Sequence, residues 1–400
     1  MRGADGALRC AALVRTRDCA HHATQTSGAA RSCDAARQKT ISTRNAVADA
    51  DNIVVATAEK IFADLADPQT INHDKDGRWA APLWRALSEA GLPLAWVAEE
   101  LGGAGVDLAD GFAVINSAGR FAVAVPLAET LLAGWLLQQG GIASPDGVMT
   151  IAPARPKDRI TLNADGTLSG RARGVPFAKS ARHLAVVAHG GDGVSIALVE
   201  AAGLRIDAGL SLANDPSDTV TFDNVVPMAI KRAPAGFDQD RLMLMGGVVR
   251  GLQIAGALDQ LLEISVRYAG ERVAFEKPIG KFQAVQHNLA RLAGESAAAS
   301  AAATSAADAI ARADAFDDAV FLEAAAAKIR CAEAAEKGAA IAHQVHGAIG
   351  FTTEHILHRF SLRALAWRDD FGSESHWAVA LGQRVAARGA DELWPLVASR

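Results

Sequence analysis

Arg272-Val-Ala-Phe275-Glu276-Lys-Pro278-Ile279-Gly280-Lys-Phe282-Gln283-Ala-Val-Gln286-His-Asn-Leu289-Ala290 is the stretch on which the reading of this 400-residue chain turns. It lies in a region that reads as helical from Pro234 nearly to the C-terminus. Upstream of it, Asp238 is a plausible N-cap, and Leu242 to Gly270 is long and glycine-spotted, as suits helices packed closely on neighbours. Downstream, Ala297 to Ala326 is alanine-rich enough to pass for low complexity. Its sparse charges, Asp308, Arg312 and Asp314, fit a small-residue bundle helix.

Before Pro234 the period changes. From about Val148 to Val226, Ile160, Leu162 and Leu168 alternate with polar residues. Leu184–Val187 and Ser195–Val199 are short apolar runs separated by Gly190-Gly191-Asp192-Gly193. Short strands between such turns indicate a compact antiparallel β domain, and no βαβ spacing is found. Earlier still, Val54, Ala58, Ile61 and Phe62 form a helical stripe, and Pro82–Ala90 reads as a helix stopped at Gly91. Glu99-Glu100-Leu101-Gly102-Gly103-Ala104-Gly105 reads as a tight turn between helices, because a lone GGxG without a following lysine is weak evidence for a phosphate loop. The expected fold is therefore α+β and multidomain: helices over 46–141, a small central antiparallel β-barrel over 148–230, and a C-terminal four-helix bundle over 235–395. Residues 1–45 are rich in Arg, Ala, Ser and Thr without an apolar period. Asp5, Asp18 and Asp34 argue against a transit peptide, so they read as a disordered extension or an upstream start.

Composition narrows the function classes. Half the residues are hydrophobic and only 5% aromatic, which favours closely packed helices. A net charge of −5 gives no reason to expect a nucleic-acid partner. Cys10, Cys19, Cys33 and Cys331 show no CxxC spacing, so a reducing compartment, the cytoplasm, is expected. No apolar run is read as reaching the roughly 18 residues that membrane insertion needs; Phe112–Leu137 is interrupted by Arg120, Pro126 and Glu129.

A second motif, Gln344-Val-His346-Gly347-Ala-Ile-Gly350-Phe351-Thr-Thr-Glu354-His355, followed by Arg359 and Arg363, completes the pattern. Together with the 272–290 stretch it resembles the acyl-CoA dehydrogenase family over residues 46–395. The resemblance implies FAD as cofactor and α,β-dehydrogenation of an acyl-CoA thioester. It also implies an electron-transfer flavoprotein as acceptor, and a homo-oligomer or a hetero-oligomer with another family member. Arg272 fits the flavin diphosphate, because a guanidinium grips phosphate oxygens bidentately. Gln283 and Gln344 can read adenine edges or ribityl hydroxyls, and Gly347 and Gly350 allow close backbone approach. Phe275 and Ser373 join the cofactor-binding set. By resemblance, these groups often serve a neighbouring subunit's flavin.

Departures from the family concentrate where the reaction should occur. Most members place a glutamate beside a glycine late in the chain, but Arg368-Asp369-Asp370-Phe371-Gly372-Ser373-Glu374 puts Phe371 there. Some relatives carry the base at the start of the long helix, where this chain has Asp240. Asp240 is the first candidate for the base, with Arg241 as a substrate contact; Asp370 and Glu374 are lesser candidates. The stretch Gly170–Phe177 lacks the aromatic and threonine that normally face the flavin ring, though Thr150 could contact it, and Glu276 replaces a glycine. His343, His346, His355 and His358 form two i, i+3 pairs without the acidic or cysteine partners a metal site needs. Three functions remain open: a dehydrogenase using Asp240 or a nearby carboxylate, a non-catalytic subunit completing the flavin site of a base-bearing partner, or a flavin oxidase on the same scaffold.

Overall fold

A computed structural model describes residues 52–74, 76–313 and 316–398. Residues 1–45, including Cys10, Cys19 and Cys33, lie outside that set. The chain begins with α1 (Ile53–Leu65), α2 (Pro68–His73), α3 (Ala80–Glu89), α4 (Leu108–Arg120) and α5 (Leu127–Gln139). Asn52 caps α1 by accepting from the amides of Val54 and Val55, and Val55, Ala58 and Phe62 supply its buried stripe. Gly102 and Gly105 both adopt positive φ in the turn before α4, and a Cβ on Gly103 would meet the Val97 carbonyl at 2.1 Å. That glycine run is a packed turn between helices, as its sequence suggested.

Eight strands follow: β1 (Met149–Ala152), β2 (Ile160–Leu162), β3 (Leu168–Pro176), β4 (His183–Gly190), β5 (Gly193–Glu200), β6 (Arg205–Asp207), β7 (Ser217–Val225) and β8 (Ala229–Arg232). They form one sheet in the order β6-β7-β3-β2-β4-β5-β8, with β1 also on β4. The expected α+β class is observed, with one difference in the sheet. β1 and β2 both run parallel to β4, whereas the remaining named pairings are antiparallel. β4 and β5 explain why their runs were apolar without interruption. Ala185, Val187, Ile196 and Leu198 pack into the helical core, while Leu184, Val186, Ala197 and Val199 face the sheet's own core. A strand covered on both faces has no polar side to alternate with.

After β8 come α6 (Gln239–Glu271), the hairpin β9 (Val273–Ala274) and β10 (Lys277–Pro278), then α7 (Gln283–Arg312), α8 (Asp318–His346), α9 (Leu357–Trp367), α10 (Glu374–Arg388) and α11 (Leu393–Ala398). The alanine-rich stretch 297–326 spans the end of α7 and the start of α8 rather than one helix. Asp238 caps α6 through the Arg241 amide. α6 is long and apolar enough to cross a bilayer, which the sequence reading had not credited to any segment; 94% of its most apolar window is buried inside the protein. It is the central core helix.

At two glycines α6 meets α4 backbone to backbone. A Cβ on Gly119 would lie 2.3 Å from the Gln253 carbonyl, and one on Gly256 would lie 2.1 Å from that of Asn116. Backbones this close leave no room for a methyl group, so the helices must separate to accept one. Gly256→Ala should therefore lower stability by about 1–3 kcal/mol, measured as a fall in the urea midpoint at unchanged m. Gly294→Ala on α7, where a Cβ meets nothing within 4 Å, should be neutral or stabilising.

Candidate functional site

The two motifs meet at one end of the bundle. Tyr268, in the last turns of α6, donates its hydroxyl to the His346 carbonyl at 3.3 Å and stacks on the His346 ring at 4.3 Å. Arg272 directly follows α6, and its carbonyl accepts from the Ile279 amide at 2.8 Å, which folds the β9–β10 hairpin back on the helix. Arg272, Gln283, Gln344 and Gly347 are all exposed there. No hydrogen bond ties the Arg272, Gln283 or Gln344 side chains among the described residues, so their donors remain available. Gly347 has φ 65° and ψ −141°, a conformation only glycine adopts readily, and a Cβ there would meet open space. Gly350 is buried against His346 and Leu357. Phe275 is 88% exposed at the hairpin tip, and Phe351 75% exposed beside the second motif. Phe275 and Glu276 both hold positive φ, 52° and 64°, which strains a turn that glycine would relax.

The other candidate residues lie elsewhere. Asp240 sits exposed in the first turn of α6 and forms no hydrogen bond through its carboxylate among the described residues; it acts on the nearby His376 ring. Arg241 places its guanidinium 5.5 Å from the centre of the Phe316 ring. Ser373 caps α10 by accepting from the His376 amide at 3.3 Å. Thr150 is fully buried and donates its hydroxyl to the Pro176 carbonyl at 2.6 Å, so that hydroxyl is already committed. Glu374 is bound by Arg368 at 2.7 Å.

Phe371 stands at the position aligned with the family's base. Its ring is fully buried against Gly246, where a Cβ would come within 2.5 Å of it. Its amide donates to the Ala154 carbonyl at 3.2 Å, and its carbonyl accepts from the Trp377 indole at 3.1 Å. Behind it lies a buried ionic network. Arg250 of α6 donates to Glu129 of α5 at 2.6 Å, to Asp370 at 2.9 Å and to Gln253 at 2.6 Å. Burial pulls the Arg250 guanidinium down, but the two carboxylates more than offset this and hold it above its usual value. Lys328 of α8, also buried, donates to the carbonyls of Trp367 at 2.7 Å and Arg368 at 2.8 Å. Burial pushes its ammonium down to about 8, against the pull of Asp370. The sequence did carry a signal for this network. Glu129 and Arg250 are isolated charges of opposite sign in two apolar runs, and such charges are buried only when paired.

A cavity at this junction encloses about 30 Å³ and is lined by Pro176, Phe177, Glu129, Arg250, Trp367 and Asp370, among others. Pro176 and Phe177 belong to the stretch that by resemblance faces the flavin ring, and Asp370 to the loop that by resemblance carries the base. A site for a cofactor-sized ligand needs about 300–1,000 Å³, so this space fits a water molecule and not a ring system. The residues therefore fit FAD in part: the exposed motif cluster suits its phosphates and adenosine, whereas the chain's own interior junction is filled.

Comparison with known proteins gives the family and the fold. The model for "Acyl-CoA dehydrogenase, C-terminal domain" matches residues 233–374, and that for the N-terminal domain matches residues 49–143, together more than half the chain. Acyl-CoA dehydrogenase IpdE2 of Mycobacterium tuberculosis is 28% identical over 314 residues, covering 77% of this chain and 88% of IpdE2. The ChsE4-ChsE5 complex of Mycobacterium tuberculosis superposes with a TM-score of 0.76 at 24% identity, covering 84% of this chain and 97% of the matched one. The Tcur3481-Tcur3483 steroid ACAD superposes with a TM-score of 0.73 at 26% identity, over 84% of this chain and 97% of that one.

The buried network should behave as a unit. Arg250→Met strands Glu129 without a counter-ion and should cost about 3–5 kcal/mol. Arg250→Met with Glu129→Leu should cost less than the single change, measured by a double-mutant cycle in urea. The histidine cluster predicts an acid effect. Burial lowers the pKa of His343, His346, His355 and His358 below the usual 6.5. Below about pH 6.5 the unfolded chain then binds protons that the folded chain resists. Stability should be full above pH 6.5 and fall as pH drops, and the midpoint should decline less steeply in His346→Gln.

Proposed function

The chain belongs to the acyl-CoA dehydrogenase family of flavin-dependent oxidoreductases acting on CH–CH bonds, and from that premise we propose that it is the flavin-completing, non-catalytic subunit of a heteromeric member. One observation carries this reading. Phe371, in place of a base, is fully buried beside the Arg250 network, and the cavity that Arg250, Glu129 and Asp370 border measures about 30 Å³. The phenyl ring cannot take a proton.

The remaining residues have a task in such an assembly. Arg272 would neutralise the diphosphate of FAD held mainly by the other chain. Gln283 and Gln344 would bond its adenosine or ribityl groups, and Gly347 would let the backbone approach. Phe275 and Phe351 would border the same contact. When bound, FAD supplies the hydride acceptor; the partner supplies the base that removes the α-proton of the acyl-CoA. Two of the structural relatives, the ChsE4-ChsE5 complex and the Tcur3481-Tcur3483 enzyme, are named for two proteins, which supports a two-chain assembly. An electron-transfer flavoprotein is the proposed acceptor. The cytoplasm is the proposed location, in keeping with the free, buried Cys331 thiol.

A second reading keeps the chain as a self-sufficient dehydrogenase with Asp240 as base and Arg241 beside the thioester. Its support is that Asp240 is exposed, with a carboxylate that no hydrogen bond occupies among the described residues. The two readings separate by activity. Under the first, the chain alone should show no flavin reduction with acyl-CoA, and activity should appear on co-expression with a base-bearing family member. Activity of the chain alone that Asp240→Asn abolishes would establish the second reading instead.

A further inference from the structure

Arg359 stands on α9, one turn before Arg363. Its Nε and Nη2 atoms are shielded from solvent and have no hydrogen-bond partner. These two atoms form one edge of the guanidinium, and it is the edge by which Arg363 grips Asp215. In that pair, Nε donates to Oδ2 at 2.8 Å and Nη2 to Oδ1 at 2.7 Å. Asp215 is the one carboxylate whose charge acts on Arg359, and Arg363 already engages both its oxygens. Burial, with Arg363 alongside, pushes the Arg359 guanidinium down to about 10, so it keeps its charge at neutral pH. A charged group that is shielded and unpaired is costly unless an anion completes it.

The surroundings indicate which anion. Arg359 and Arg363 both act on the His358 ring, whose pKa burial already lowers. His343 bonds Ser361 of the same helix at 2.9 Å and also packs against Gly350 of the second motif. Asp215 neutralises Arg363, and burial beside the two arginines keeps the His358 ring neutral. The charge left over is that of Arg359, whose two open donors match a group presenting two oxygens. The residue as a whole is only half-buried, so the shielded edge lies close to the surface.

We propose that Arg359 is an anion-binding residue whose Nε–Nη2 edge takes two oxygens of a phosphate group, beside the Arg363–Asp215 pair. The phosphate has two sources of the same chemistry, the flavin diphosphate or the phosphates of CoA. Assigning it to flavin rests on the proposed function, whereas the anion site itself rests on this chain alone.

The test is thermal melting of the full chain, purified alone and stripped of nucleotide. Inorganic phosphate is titrated against chloride at matched ionic strength, then FAD and CoA are titrated in turn. A saturable rise in Tm with phosphate is expected. Arg359→Gln should abolish it, Arg359→Lys should weaken it several-fold because lysine lacks the fork, and Arg232→Gln on β8 should leave it unchanged. Without phosphate, Arg359→Gln should melt no lower than the wild type, since it removes an unpaired charge. A response at lower FAD than CoA assigns the phosphate to flavin, and the reverse order assigns it to CoA; either supports the site. A wild type that phosphate stabilises no more than chloride overturns it. So does an Arg359→Gln chain that keeps the phosphate response, or one that melts lower in its absence and thus had a protein partner. Should Arg359→Gln fail to fold, an unchanged response in Arg359→Lys is the overturning result. A phosphate response in a chain that is also active alone would remove the proposed function and leave this site standing.

Discussion

The ion network of Arg250 is the constraint on which the interior depends. It joins α5 through Glu129, α6 through Arg250 itself and the loop before α10 through Asp370. Lys328 binds the same loop through two backbone carbonyls, so a second buried cation holds what the first one pairs. Two positive and two negative groups leave the cluster neutral, the condition under which ions can be buried at all. Removing one member exposes the others to an uncompensated desolvation cost, which makes the cluster all-or-none.

That arrangement settles what the junction can hold. With Asp370 drawn onto Arg250, the next residue, Phe371, turns its ring onto Gly246, where the missing Cβ makes room for it. Phe371 adopts a φ of 55°, an uncommon conformation for an aromatic residue, and its backbone bonds to Ala154 and Trp377 hold it there. The space between sheet and bundle is closed by side chains of this chain. Exposed donors lie at the far end of α6 instead, where Tyr268 and the β9–β10 hairpin bring Arg272 towards Gly347. On the proposed reading, the molecule keeps the outer surface of a flavin site while its inner junction is narrow.

Much of this was legible in the sequence. The helical stripe of Val54, Ala58, Ile61 and Phe62, the caps at Asp238 and Gly91, and the two motifs all act over a few residues, where local chemistry decides the outcome. Phe371 was recognisable as a departure because it lies beside a glycine at a diagnostic position. The parallel pairing of β1 and β2 with β4 was not legible, since neighbours in a sheet are chosen by long-range packing. Nor was the commitment of Thr150 to Pro176, a contact 26 residues apart. Asp370 reads only as a lesser candidate for the base because its partner lies 120 residues away. The lone charges Glu129 and Arg250 were visible, but only the fold shows that they meet.

The central claim is that this chain's own junction holds no flavin while its surface completes one elsewhere. The direct measurement is the number of flavins per chain, by absorbance after denaturing release, in the purified two-chain assembly. One flavin for every two chains, with the chain colourless when purified alone, is the expected result. One flavin per chain, or a chain that is yellow on its own, would contradict it.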